Sequence, residues 1–254
     1  MADRQNSTTD GGSFEDHSKA GPAAIDPRQT TVSLVPNPSY LKPANPGPLG
    51  LLSFAITTFV LALYQCGAGL PDSNPHGSVG PDQAVFGLAV FLGGGAQLIA
   101  GIMEFVAGNT FGTTVHCSYG AFWLGFAMFL VPSLGIKDAY AGDKRAYSFA
   151  LGIYLFFWFV LTIMFLIAAL RTNYTIIAVL GLLVLAFFFL SIAQFIMTSH
   201  PTGAVRVNKA GGVFAFLCAL GAFYAGASGL MVKETTFVRL PLGIIPRGDE
   251  RTTA

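Results

Sequence analysis

Only 11% of the 254 residues are charged, 53% are hydrophobic, and the formal net charge is +1. A soluble domain carries about 25% charged residues, so a water-soluble fold is excluded, and the mean hydropathy of +0.60 reads as a membrane protein. The near-neutral balance gives no sign of a nucleic-acid partner.

The chain opens on a polar tail, residues 1–42, rich in Ser, Thr, Asp, Gly and Pro and without apolar periodicity, which predicts disorder. Its Ser and Thr side chains are either phosphorylation sites or an unmodified solvated tail. Asn6-Ser7-Thr8 and Asn173-Tyr174-Thr175 fit the glycosylation sequon. Both are expected to be silent, the first in a cytoplasmic tail and the second against a span.

Six apolar stretches follow: Leu49–Leu70, Ala84–Ala107, Thr113–Gly135, Ser148–Leu170, Tyr174–Thr198 and Ala210–Val232. Crossing a bilayer takes about 20 mostly apolar residues, because a helix rises about 1.5 Å per residue through a core about 30 Å thick. The predicted fold class is therefore all-α: a polytopic protein of six transmembrane helices, compact around a narrow pore. Its bounds are 43–245, with a cytoplasmic C-terminal tail at 246–254. The first span is expected to serve as an uncleaved signal anchor. Cys66, Cys117 and Cys218 all lie in spans, so neither a disulfide nor a metal site is expected, and no cofactor motif is present.

An even number of spans puts both termini on one side. Arg4, Lys19, Arg28, Lys42, Arg171, Lys233, Arg239, Arg247 and Arg251 share that side, against Lys137, Lys144, Arg145, Arg206 and Lys209 on the other. The excess makes the termini cytoplasmic. The Pro71–Asp82 loop, with two Asp and no Lys or Arg, suits the outside.

In the second span Gly87, Gly94, Gly101 and Gly108 recur every seven residues, flanked by Gly93 and Gly95. Seven residues is about two helical turns, which predicts one glycine groove for close helix approach. Gln97 and Glu104, also seven apart, fall on the neighbouring strip. The sixth span repeats the device with Gly221, Ala225 and Gly229.

Glu104 is the only acidic residue inside a predicted span. A charge at the bilayer centre costs about 2.5–3.5 kcal/mol, so it belongs at the protein interior or a watery path. It would either take up a proton or anchor neighbouring helices. His116, one turn before Tyr119, is a proton-relay candidate or a packed imidazole. Thr110 and Thr113, within the Asn109–Thr114 turn, either present hydroxyls to an anion or simply join two helices. Ahead of the first span, Pro46 forces an extended approach and Pro48 suits a first helical turn. No nucleophile–base pair is visible, so the chain is not read as an enzyme.

The run Asn45-Pro46-Gly47-Pro48-Leu49-Gly50-Leu51 followed by Phe54 resembles the signature of the acetate uptake transporter family, with Gly47 where the family usually has Ala. That family includes succinate–acetate permeases and fungal acetate and ammonia-production proteins. Gly94-Gly95-Ala96-Gln97, Gly101, Glu104, Gly108-Asn109-Thr110-Phe111-Gly112, Ser118-Tyr119-Gly120-Ala121-Phe122-Trp123 and Leu240-Pro241-Leu242-Gly243 are similar to later family segments. The resemblance covers residues 43–245. It implies a plasma-membrane homohexamer of six-helix protomers with one pore each, passing acetate and other small carboxylic acids, with or without protons. It also implies a constriction at Phe54, Tyr119 and Leu183. The signature residues Asn45, Pro46, Pro48, Leu49, Gly50 and Leu51 would lie on the pore.

The residues fit such a path. Asn, Gln, Thr and Tyr would replace the hydration of a carboxylate, apolar side chains would limit size, and the helix start at Pro48–Leu51 would supply partial positive charge. Gln97, Glu104, Thr110, Thr113 and His116 are the polar or proton-relay candidates. Two other readings stand beside it: an ammonium or ammonia exporter, and a scaffold or acid-response sensor that moves no solute.

Overall fold

The computed structural model describes residues 44–77 and 81–246. The N-terminal tail with its sequon, and the C-terminal tail beyond Pro246, lie outside the described residues.

Six long helical segments account for the described chain. They are α1 (Gly47–Gln65), α2 (Leu88–Val106), α3 (Thr110–Phe129), α4 (Lys144–Ala169), α5 (Tyr174–Ile196) and α6 (Pro201–Leu230). All but α3 are long and apolar enough to cross a membrane. The first half of α3 carries Thr110, Thr113, Thr114, His116, Ser118 and Tyr119, which lowers its hydropathy.

Helix starts follow the local sequence. Pro48 sits in the first turn of α1, where a missing N–H costs nothing. Asn109, Asp143 and Asn173 cap α3, α4 and α5 by accepting from backbone N–H groups of the first turn. Helix ends differ from the apolar runs. α1 stops at Gln65, because Gly67 turns the chain with a φ of +87°. α3 stops at Phe129, short of Gly135, because Pro132 starts a separate turn. α6 starts at Pro201, well before Ala210, so Arg206, Asn208 and Lys209 are helical.

The first half of α2, Leu88–Ala96, is wound as a π-helix and the second half, Gln97–Val106, as an α-helix. A π turn holds more residues than an α turn. Seven residues therefore no longer return to one face, and the continuous glycine groove is not formed. Gly94 and Gly101 do press on α3: a Cβ on Gly101 would lie 2.5 Å from Cys117 Sγ, and one on Gly94 would lie 2.6 Å from Leu124. Gly93 meets Thr57 of α1 and Trp123 of α3, whereas Gly87 faces open space and Gly108, with φ +77°, ends the helix.

α6 fits between two neighbours through its small residues. Gly211 and Gly221 lie against Leu190 and Val179 of α5, while Gly212, Gly226 and Gly229 lie against Cys66, Leu52 and Pro48 on the α1 side. α2 packs on α1 and α3, and α4 on α5. α3 and α4 meet through long side chains, with Phe122 stacked on Tyr154 and edge-on to Trp158. The outward face of α4 carries Phe149, Ile153, Phe156, Val160, Met164 and Ile167 at helical spacing, all exposed. An apolar exposed face of this length is what a helix against lipid presents.

Candidate functional site

Two cavities lie end to end in the bundle. One, of about 270 Å³, is at the end holding the start of α1 and the α2–α3 turn. The other, of about 170 Å³, is at the end holding Gln65 and the start of α4. They share three lining residues, Phe54, Tyr119 and Leu183, which therefore lie between them. These come from α1, α3 and α5, and all are buried.

The Phe54 and Tyr119 rings are 5.6 Å apart between centroids, and Phe165 meets Tyr119 edge-on at 5.7 Å. The Tyr119 hydroxyl lies 3.0 Å from Thr162 Oγ1. Thr162 donates its own proton to the Trp158 carbonyl at 2.7 Å. The Tyr119 hydroxyl is then the donor of the pair, and its oxygen keeps lone pairs for another partner. Thr162 lies in the apolar run of α4, and its only sequence signal was being the one hydroxyl residue between Trp158 and Leu170.

The signature segment divides its tasks. Asn45, Gly47 and Leu51 line the larger cavity. Asn45 Oδ1 accepts from the Gly47 N–H at 3.1 Å, and the Pro46 carbonyl accepts from Gly50 at 3.2 Å, closing the first turn. Gly50 must be glycine, since a Cβ there would lie 2.5 Å from the His116 imidazole. Pro48 is packed against Gly229, and Leu49 points outward, 45% exposed.

Gln97, Glu104 and His116 are buried and line the same cavity. Gln97 Oε1 and His116 Nδ1 have no hydrogen-bond partner within the protein. Buried polar atoms are nearly always paired, so these two stand out as unpaired polar atoms on residues that line this cavity. Glu104 Oε2 accepts from Asn109 Nδ2 at 2.7 Å, and the Gly112 position lies against the same carboxyl group. Its Oε1 lies 3.4 Å from where a Gly47 Cβ would be. Glu104 thus joins the starts of α1 and α3 to the end of α2. It also sits at the positive end of α1, so the partial charge expected to face a substrate first meets the protein's own carboxylate. Thr110 is exposed at the start of α3, and Thr113, with an unpaired buried Oγ1, is not among the cavity-lining residues.

Sequence reading missed the polar end of the second cavity. There Asn208, fully buried, donates to the backbone carbonyl and the side-chain Oε1 of Gln65. Asp82, in the short turn Pro81–Val85 ahead of α2, lines this cavity too, and burial pushes its carboxyl up to about 6. Starting the sixth span at Ala210 hid Asn208 in a supposed loop. Among the described residues, no Lys or Arg lines either cavity.

Known proteins match along most of this length. Ammonia transport outward protein 2 of Saccharomyces cerevisiae is 38% identical over 217 residues, 85% of this chain and 72% of that protein. The succinate-acetate/proton symporter SatP of Escherichia coli K12 is 31% identical over 206 residues, 80% of this chain and 96% of that protein. The solved structure of the bacterial acetate channel SatP superimposes with a TM-score of 0.63 at 31% identity, covering 79% of this chain and 98% of that one. The profile of the GPR1/FUN34/yaaH family matches residues 29–247, and the chain belongs to that family.

Proposed function

We propose that this chain carries acetate and other small monocarboxylates across a membrane, through the path that the two cavities make. The observation that carries the reading is the meeting of both cavities at Phe54, Tyr119 and Leu183. In the reading these three are the constriction, and the SatP proteins supply the substrate class. A solute entering the larger cavity exchanges water for Asn45, Gln97 and His116. It then passes the ring of Phe54 and Leu183 with the Tyr119 hydroxyl as a single hydrogen-bonding partner. With no fixed cation on the way, binding stays weak, as flux requires. Glu104 and His116 are the groups able to hold a proton beside the solute, which makes coupling to protons a property of this cavity.

The proposal includes α3 as the sixth span, both termini in the cytoplasm, the plasma membrane as location, and assembly as a homohexamer. Lysine and arginine placement supports the orientation. Exposed apolar faces such as Phe91, Ile99, Ile102 and Phe105 on α2 leave room for neighbouring subunits or lipid.

Ammonium or ammonia export is the second reading. It is favoured by the yeast relative and by the sign of the cavity charges: Glu104 and Asp82 are both acidic. The test for both is flux in proteoliposomes made with the purified chain, with and without an imposed pH gradient. Uptake of labelled acetate that rises with an inward proton gradient supports the first reading. Ammonium flux without acetate flux supports the second, and no flux of either leaves the scaffold.

A further inference from the structure

Beyond α6 the chain doubles back and lies along the mouth of the larger cavity. The segment 240–245 is tied on two sides. On the α6 side, Tyr224 donates its hydroxyl to the Pro241 carbonyl at 2.7 Å, and Ser228 Oγ donates to the Leu240 carbonyl. On the α5 side, the Leu242 carbonyl accepts from both Thr175 Oγ1, at 2.9 Å, and the Thr175 N–H, at 3.3 Å. The Gly243 carbonyl accepts from Tyr174 at 3.0 Å, and the Ile245 N–H donates to Thr172 at 3.3 Å. Asn173 and Ile244 form an isolated antiparallel bridge.

These bonds fix the direction of one side chain. With its carbonyl held by Thr175, Leu242 lines the cavity, on the same wall as Asn173 and Ile176. Gly243 allows the turn that follows. Its φ is +70°, and a Cβ would lie 3.0 Å from the Tyr174 ring. Thr175 is not needed to cap α5, because Asn173 does that through the Ile176 N–H. Its hydroxyl is spent on the returning strap alone.

We propose that Leu242 is a further size-selecting residue of the transport path, the strap forming an apolar lip at the cavity mouth and Thr175 acting as its positioning residue. The inference rests on the transport reading above. A leucine set among Asn45, Asn109 and Asn173 narrows the polar mouth without adding charge. Solutes must pass this narrowing before they reach Phe54 and Tyr119, so the path would select for size twice.

The experiment is uptake of labelled acetate by the full chain in liposomes, with competition by unlabelled acetate, propionate, butyrate and benzoate. Leu242→Ala removes most of the side chain. A change of about one methylene in an apolar site alters discrimination by about tenfold, so butyrate and benzoate should gain about tenfold in competition relative to acetate. Leu242→Met should restore the native order. Thr175→Val keeps the shape and deletes the hydroxyl, so it should shift the order the same way by a smaller factor. Leu242→Ala with the native order of competition, at native acetate flux, overturns the lip and leaves the transport reading standing. Wild-type protein that moves ammonium and no acetate overturns the transport reading, and the lip with it. If Leu242→Ala does not assemble, Thr175→Val decides: an unchanged order overturns the proposal.

Discussion

The two cavities are lined by different chemistry. The larger one is edged by Asn45, Gln97, Glu104, Asn109, His116 and Asn173, whereas the other is walled by Phe122, Trp123, Phe126, Phe129, Tyr154 and Phe187. One end offers groups that replace hydration. The other offers faces and edges of rings, with Asp82, Gln65, Gln194 and Asn208 as polar points. In the proposed transport path, this difference puts the exchange of water for protein at one end and the restriction of shape in the middle and beyond. The polar cavity depends on close backbone approach at Gly50, Gly101 and Gly112, while the aromatic one is built mainly by ring-on-ring contacts, with Gly93 against Trp123 and Gly211 against Leu190 as its close approaches. Perturbing glycines should therefore damage the polar end far more than ring substitutions damage the aromatic end.

Gly101→Leu is the strongest attack on that comparison. The Cβ would lie 2.5 Å from Cys117 Sγ and 2.7 Å from the Cys117 backbone nitrogen, so the side chain has no room to turn aside. Overpacking costs about 1–3 kcal/mol where a core can adjust, and backbone contact leaves little adjustment here. We expect most of the protein to be lost from the membrane, read as surface expression and size in detergent. A variant of wild-type size and flux would mean that α2 and α3 separate freely.

Glu104→Gln comes next. The amide can still accept from Asn109, but it no longer complements the start of α1. An anion at a helix start is worth about 0.3–1 kcal/mol, and up to about 2 kcal/mol where partly buried. The fold should hold with a modest loss of stability, and the flux should lose part of its dependence on pH. Flux identical to wild type between pH 5 and 7 would reduce Glu104 to a helix junction.

At the shared centre, Phe54→Ala and Tyr119→Phe should separate size from hydrogen bonding. The first removes a ring that the tilted pair with Tyr119 holds in place, so larger acids should compete severalfold better, as expected for lost apolar bulk in a selecting site. The second keeps the ring and deletes the hydroxyl that Thr162 orients. It should slow acetate by about tenfold or less, the worth of about one hydrogen bond, without reordering the acids. An unchanged order for Phe54→Ala, at normal membrane levels, removes it from the narrow point.

How far the sequence could be read divides along the same line. The polar cavity was legible, because Asn45 to Leu51 and Gln97 to Glu104 stand out as ordered polar and glycine patterns in an apolar chain. The aromatic cavity was not. Phe187 sits in the run Phe187-Phe188-Phe189, and an aromatic inside a span has no pattern that separates a wall from a filler. Thr162 and Asn208 were single polar residues with no spacing to betray them, and Asn208 was further hidden by the misplaced start of α6. The π-helical half of α2 was invisible, because a seven-residue glycine spacing presumes α geometry throughout. Leu242 sits in the Leu240-Pro241-Leu242-Gly243 segment, yet only the returning path of the chain beyond α6 shows that it reaches the cavity.

Asp82 offers the smallest and most specific test of the aromatic end. It lines that cavity just ahead of α2, and burial raises its carboxyl from 3.8 to about 6. The folded protein favours the protonated form, so this group's contribution to stability declines as pH rises from its unfolded value through about 6. For transport the sign is the same. Near pH 5 the group is mostly neutral, and near pH 7 mostly charged. The charged form repels a carboxylate at the cavity mouth and attracts a cation. Two unit charges about 4 Å apart in water interact by about 1 kcal/mol, so the effect on flux should be a few-fold at most. Asp82→Asn should therefore flatten the fall in acetate uptake between pH 5 and 7 and leave the rate at pH 5 unchanged. The measurement is the ratio of initial rates at the two pH values under a fixed gradient of the acid. A ratio equal to wild type would place the carboxyl outside the path. A fall in uptake at pH 7 would mean that the path prefers a cation.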